Sequence, residues 1–323
     1  MPDRVAVAAM SRNPRTAGTV YSLGSILVDV TVDVPGLPER GGDVLATGTR
    51  TLPGGGFNLA AAVARQEVRC VYAAPHGTGP YGDLIRDALA VEGVQVSAER
   101  RDTGDSGFTV TFVEPDGERT FVTMPGVEAA LTAGDLAAIR PSTGDIVSVS
   151  GYDLVYPASG PVLADWLADL PRGAFVALDP GPLVRQIPAE RLARVLRRTD
   201  LLTLNRREAQ LLADSPATGA ALLETLRSAA AMVVVREGPD GCVATGGALG
   251  DRVVSVPAPP VRAVDTTGAG DSHTGVLLAS LAAGLGVEEA LDTATRAAAL
   301  AVTRIGPATT PTRSELVDFG RSD

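Results

Sequence analysis

Short apolar runs alternate with longer stretches whose apolar positions recur at helical spacing through most of the chain. Phe57 to Arg65 reads as a helix, Val68 to Ala73 as a strand, and Tyr81 to Val91 as a helix again. Ile146 to Val149, Phe175 to Leu178, Asp200 to Leu204 and Met232 to Val235 read as short buried strands separated by further helical stretches. Strand and helix in alternation predict an α/β fold: a doubly wound, mostly parallel sheet with helices on both faces. Ligands of such sheets bind beyond the carboxyl ends of the strands.

Two stretches break this rhythm. Val20 to Ile26 reads as a strand ending near Gly24, and Val28 to Val34 alternates apolar and polar residues, as a half-exposed strand does. Pro35, Gly36, Pro38, Gly41 and Gly42 then interrupt the chain before a second alternating stretch. Phe108 to Val113 and Arg119 to Thr123 flank a Pro115-Asp116-Gly117 turn in the same style. None of these is followed by a helix, which predicts a separate small β-sheet lid inserted as segments of about 28–51 and 106–124. The main domain is expected over 19–323, and 1–18 reads as a loose tail without a signal peptide.

Composition narrows the partners. A net charge of −10 argues against nucleic acid or an anionic membrane surface, both of which need clustered positive charge. All 28 basic residues are arginine, so neither a Schiff-base lysine nor a Walker A lysine is available. Phosphate would have to be met by arginines, backbone amides or metal. Cys70 and Cys242 read as buried free thiols of a cytoplasmic protein, and His76 and His273 are too few for a histidine metal site. No apolar run reaches membrane-spanning length.

The densest chemistry lies in Val264-Asp265-Thr266-Thr267-Gly268-Ala269-Gly270-Asp271. Strand-like Arg252 to Val256 and Val261 to Val264 precede it, and an apolar helical run from Val276 to Ala283 follows. The glycines therefore fall where a loop becomes a helix, and the first N–H groups of a helix are a ready anion site. An acid beside an anion cradle suits phosphoryl transfer, in which amides hold the developing charge and a carboxylate takes the proton of an attacking hydroxyl. Asp271 as a simple helix N-cap is the competing explanation.

A second glycine cluster, Gly77-Thr78-Gly79-Pro80-Tyr81-Gly82, matches the dinucleotide fingerprint after a strand and before a helix, with Glu99 further on. Against a nicotinamide site, Pro80 would stand within the tight turn and Glu99 lies in a polar stretch leading to the lid.

Taken together, the motifs resemble those of the ribokinase-like (PfkB) carbohydrate kinase family from about Val20 to Leu316. Gly24 to Asp29 is similar to its opening strand, Pro53-Gly54-Gly55-Gly56-Phe57-Asn58 to its Gly-Gly motif, and Asp116 to Thr120 to its lid hairpin. Gly82-Asp83 and Glu92-Gly93-Val94 resemble its helix at the second glycine cluster, Asn205-Arg206-Arg207-Glu208 its Asn-x-x-Glu motif, and Asp265 to Asp271 its C-terminal signature. The resemblance implies an ATP-dependent kinase acting on a primary hydroxyl of a small sugar. Asp271 is then the base and Gly268, Ala269 and Gly270 the anion cradle, while Asp29, Gly54, Gly55 and Asn58 bind the sugar. It assigns Asn205, Arg236, Gly238 and Thr267 to the nucleotide, Glu208 to Mg²⁺ through water, and Asp265 to a monovalent cation such as K⁺. A homodimer through the β lid is a further expectation. For Asn58 an N-cap, and for Asn205 with Glu208 a capping pair, explain the residue types equally well.

Several positions depart from the family pattern. Arg236-Glu237 stands where Thr-Leu is usual, Arg296 where asparagine is common, His273 where an aromatic is usual, and no lysine occurs in the glycine loop. These leave the acceptor open between a sugar, a phosphorylated sugar and a nucleoside. A non-catalytic sugar sensor is the remaining alternative, although such a protein would have lost the base.

Overall fold

The computed structural model describes residues 17–319. Nine strands form one sheet in the order Val254–Val256, Cys242–Gly246, Met232–Arg236, Leu201–Asn205, Phe175–Asp179, Ile146–Ser150, Val20–Ser22, Cys70–Tyr72 and Gln95–Val96. Pairing is parallel from Met232–Arg236 to Gln95–Val96, and the two strands beyond Met232–Arg236 add antiparallel. The central strands are mostly apolar because both faces are covered, with Ser148 and Thr203 as buried polar exceptions. Their alternation divides the core: Met232 and Val234 enter one layer, Val233 and Val235 the other. The order and the helices on both faces are those of the expected doubly wound sheet.

The first layer holds helices Gly56–Ala64, Pro80–Val91, Ala269–Ala282 and Val287–Ala301. Ala269–Ala282 is buried from Ser272 to Ala282, so it carries no polar face and no clear amphipathic stripe. At Gly275 it approaches Gly56–Ala64 so closely that a Cβ would stand 2.6 Å from Ala62 Cβ and 2.9 Å from Leu59 O. This contact sets the first turns of the two helices side by side.

The lid is a second, four-stranded sheet in the order Gly48–Gly55, Ile26–Asp33, Phe108–Val113 and Arg119–Met124. Its inner pair is parallel and its outer pairs antiparallel. The chain leaves the main sheet at Ser22 and enters the lid at Ile26, so the expected strand Val20 to Ile26 divides at Leu23–Ser25. Strand Gly48–Gly55 runs straight into helix Gly56–Ala64. Pro53 is tolerated there because the strand is an edge.

One other expectation is corrected just before the glycine turn. Val261 to Val264 is not a strand; Pro257, Pro259 and Pro260 precede it, and Val264 and Asp265 both donate their N–H to Val302 O, at 2.7 and 3.1 Å. The following helix starts at Ala269, within the glycine motif, where the loop was expected to become a helix. Of the expected N-terminal tail, residues 1–16 lie outside the described residues, while Gly18 donates to Ala282 O at 2.9 Å. Among the described residues, no helix is long and apolar enough to cross a membrane.

Candidate active site

Gly268 holds a left-handed φ of 73° at the N-cap of helix Ala269–Ala282, and a Cβ there would lie 1.9 Å from Pro307 O. Only glycine meets both conditions. The helical ladder begins with Ser272 N–H donating to Gly268 O at 2.8 Å, so the amides of Gly270 and Asp271 precede it at the positive end of the dipole. Ala269 N–H turns back to Thr266 O at 3.3 Å, making it the weakest member of the expected cradle.

Asp271 lies in the first turn and makes no cap hydrogen bond, which removes the N-cap explanation. Its Oδ2 accepts from Asn58 Nδ2 at 3.0 Å. Burial raises its pKa to about 6; Asp179 and Asp29 add to the rise, and the Asn58 hydrogen bond and Arg236 oppose it. Asn58 is likewise no cap, because the N-cap of helix Gly56–Ala64 is Gly55, at φ 59°. Asn58 Oδ1 is buried without a hydrogen-bond partner, an open acceptor next to the acid.

Asp29 reaches this cleft from lid strand Ile26–Asp33. Its carboxylate lies over Gly54, where a Cβ would come within 2.0 Å of Asp29 Oδ2. Burial raises the Asp29 pKa to about 6. The glycine loop thus makes room for a half-buried carboxylate on one side and delivers Asn58 to Asp271 on the other.

Asn205 and Glu208 form a reciprocal capping box on helix Arg206–Ala213, with Glu208 N–H on Asn205 Oδ1 at 2.9 Å and Asn205 N–H on Glu208 Oε2 at 2.8 Å. The capping explanation is therefore realised, and it also fixes Glu208 at a strand end. Arg236 ends strand Met232–Arg236 and is almost buried. Its Nη1 donates to Asp179 Oδ2 (3.0 Å), Thr203 Oγ1 (2.8 Å) and Thr274 Oγ1 (2.8 Å), and its Nη2 lies 3.6 Å from Glu208 Oε2. Its guanidinium also lies 3.5 Å from where a Cβ on Gly270 would stand, directly beside the anion turn. Burial and Asp179 raise the Glu208 pKa, and Arg236 opposes them. Gly238 opens a single turn just beyond, at φ 63°.

The donor set bears differently on the two metals. Among the described residues no three His, Cys, Asp and Glu side chains are grouped to hold a metal. Glu208 spends Oε2 on both the Asn205 N–H and Arg236, which leaves Oε1 for a water of a divalent ion that arrives with phosphates. Asp265 does not fit a monovalent cation. Its Oδ1 takes Thr267 N–H (2.9 Å), Thr267 Oγ1 (2.7 Å) and Arg119 Nη2 (2.7 Å), and its Oδ2 takes Gly306 N–H (3.1 Å). Thr267 is likewise turned toward Asp265 by these bonds.

Sequence reasoning missed Tyr152. It follows strand Ile146–Ser150, packs its ring 3.6 Å from where a Cβ on Gly181 would stand, and is 41% exposed. Burial raises its pKa, and Glu208, Asp271, Asp179 and Asp29 add to the rise, so it shares their cleft. Its position beyond a strand end was the available signal.

The dinucleotide match has a different role. Asp105 accepts Tyr81 N–H (2.9 Å) and Gly82 N–H (2.7 Å), so the helix N-terminus that a pyrophosphate would need already holds a carboxylate.

Fold and site together define a phosphotransferase of the doubly wound class with a β lid. The chain matches the pfkB family carbohydrate kinases over residues 18–313. The uncharacterised sugar kinase YegV of Escherichia coli (strain K12) is 34% identical over 307 residues, 94% of each chain. A fructokinase of Klebsiella pneumoniae is 32% identical over 280 residues, 82% of this chain and 85% of the relative. The structure of Arabidopsis thaliana ribokinase complexed with ribose and ATP shares the fold, with a TM-score of 0.78 at 24% identity over 94% of this chain and 99% of that one. This chain belongs to the pfkB family of carbohydrate kinases.

Proposed function

We infer that the protein is an ATP-dependent sugar kinase that phosphorylates a primary hydroxyl of a small sugar, with Asp271 as the base. The observation that carries this reading is the 3.0 Å bond from Asn58 to Asp271, which joins the glycine loop to the anion turn beneath Asp29. Asp29 and the free Oδ1 of Asn58 suit sugar hydroxyls, since each can accept a hydrogen bond. Gly54 and Gly55 let the ring approach the backbone.

In the reaction the acceptor oxygen attacks the γ-phosphorus in line, the bond from that phosphorus to the β–γ bridging oxygen breaks, and ADP leaves. Asp271 takes the hydroxyl proton, for which a pKa of about 6 is well matched near neutral pH. The amides of Gly268 and Gly270, with a lesser part for Ala269, meet the charge on the transferring group. Arg236 holds Asp179 and Glu208 beside the turn, Asn205 and Gly238 would meet the nucleotide, and Thr267, bonded to Asp265, would act on it through the backbone of the turn. Mg²⁺ arriving with ATP would be held through water at Glu208 and supplies charge neutralisation for the phosphates. The lid excludes water when it closes over the sugar.

The main domain with its inserted lid works as one catalytic unit. Lid residues Leu52, Phe121, Val122 and Met124 are 42%, 61%, 59% and 58% exposed, which supports a homodimer that covers the lid. ATP as donor and the buried free thiols of Cys70 and Cys242 support a cytoplasmic setting. An acceptor panel of pentoses, hexoses, sugar phosphates and nucleosides, read by ADP release with the product mapped by phosphorus NMR, tests the reading. A sugar phosphorylated at a primary carbon is expected; turnover confined to nucleosides overturns it.

A further inference from the structure

Arg119 opens the lid's edge strand, directly opposite Val113. Its guanidinium leaves the lid and donates from Nη2 to Asp265 Oδ1 at 2.7 Å, across 146 residues of chain. The same carboxylate takes Thr267 of the anion turn and Gly306 of the loop that follows helix Val287–Ala301. One side chain thus ties together the lid, the turn that carries Gly268 to Asp271, and the loop whose Pro307 carbonyl packs on Gly268. Arg119 is 30% and Asp265 16% exposed, so the pair is partly withdrawn from solvent.

We propose that Arg119 is the built-in counter-cation of Asp265 and the latch that couples lid position to the anion turn, in place of a bound monovalent ion. A carboxylate offers roughly four lone-pair sites. Four donors already reach Asp265, and one of them is a full positive charge. An added cation would have to displace the guanidinium from Oδ1 and forfeit a charge-assisted hydrogen bond. The turn also carries Asp271 and must receive phosphate, so an unneutralised second carboxylate would oppose it. Because the cation comes from the lid, its presence reports that the lid has engaged. The coupling to catalysis rests on the kinase reading; the cation role does not.

The test compares potassium, sodium and choline chlorides at matched ionic strength, with melting temperature and acceptor turnover as separate readouts. For the unaltered protein the three salts should give the same melting temperature and rates within about twofold, because an ion that does not bind the native state gives no linkage. Arg119→Met should lose about a hundredfold in kcat through the displaced turn, and potassium but not choline should restore part of the rate and raise the melting temperature. Arg119→Lys, which keeps the charge, should remain insensitive to the salt. Potassium stimulation of the unaltered protein in either readout overturns the proposal, as does Arg119→Met with full activity. A loss of activity that potassium leaves untouched overturns the counter-cation role. Should the unaltered protein phosphorylate no acceptor, the kinase reading fails, and the melting series still decides the cation role.

Discussion

Asn58 and Asp271, on two helices that meet at Gly275, are joined by a 3.0 Å hydrogen bond from amide to carboxylate. That bond stabilises the ionised acid against its burial. Removing it with Asn58→Ala should raise the Asp271 pKa, so the acid limb of the kcat profile should move above its starting position near pH 6. A pH–rate profile at saturating sugar measures this. Stability should fall by about 2 kcal/mol, the usual worth of a hydrogen bond to a charged group.

Gly54 and Asp29 make a second pair. With a Cβ 2.0 Å from Asp29 Oδ2, Gly54→Ala must push that carboxylate aside. Acceptor KM should rise at least about tenfold, the scale of one lost charged hydrogen bond, while ATP affinity stays the same. Isothermal titration with each substrate separates the two effects.

Stability should depend on pH in two opposite ways. Asp29 and Asp271 have folded pKa values of about 6, above the unfolded carboxylate range, so the folded protein binds their protons more tightly. Their cost is complete above that value and fades as pH falls through 6 toward about 4, on the order of 2 kcal/mol for each group. For Asp265, burial alone would raise the pKa, but hydrogen bonds from Thr267, Arg119 and Gly306 outweigh it and lower it to about 2. Its contribution is present above the unfolded value and lost as pH falls toward 2. The melting temperature should therefore rise from about pH 7.5 to about 5.5 and fall in stronger acid, and Asp29→Asn should raise it at about pH 7.5. A decline from neutral pH to 5.5 would contradict this.

Arg236 is held by Asp179, Thr203 and Thr274 with Glu208 close by; burial alone would lower its pKa, but Asp179 and Glu208 outweigh it and raise the pKa above the ordinary value. Arg236→Met leaves buried carboxylates without their cation and should cost about 3 kcal/mol in chemical denaturation. Adding Asp179→Asn should recover part of that loss, a non-additivity expected of direct partners.

Much of the fold could be read from the chain because buried parallel strands are nearly uninterrupted apolar runs, as in Met232–Arg236 and Phe175–Asp179. Helix Ala269–Ala282 is buried nearly all round, so no amphipathic stripe outlined it, and the glycine motif at its start was the signal that marked where loop becomes helix. Val261 to Val264 misled because β-branched residues suit a strand wherever the chain runs extended, and proline placement decided against it. At the site, Asp271 was singled out by the chemistry of its motif and Asn58 and Asp29 by the family resemblance, and the structure brings the three near one another. The partners of Asp265 were not legible, because Arg119 meets it only after the lid folds across, and no local pattern encodes a contact of that separation. Tyr152 was overlooked although its place just beyond the end of strand Ile146–Ser150 could be read from the chain.

The most direct measurement is phosphoryl transfer by Asp271→Asn in a single turnover with bound ATP and the sugar found in the acceptor panel. The account predicts an unchanged fold and ATP affinity with a transfer rate reduced by about 10² to 10⁴, the share of a general base. Transfer at the rate of the unaltered protein would contradict it.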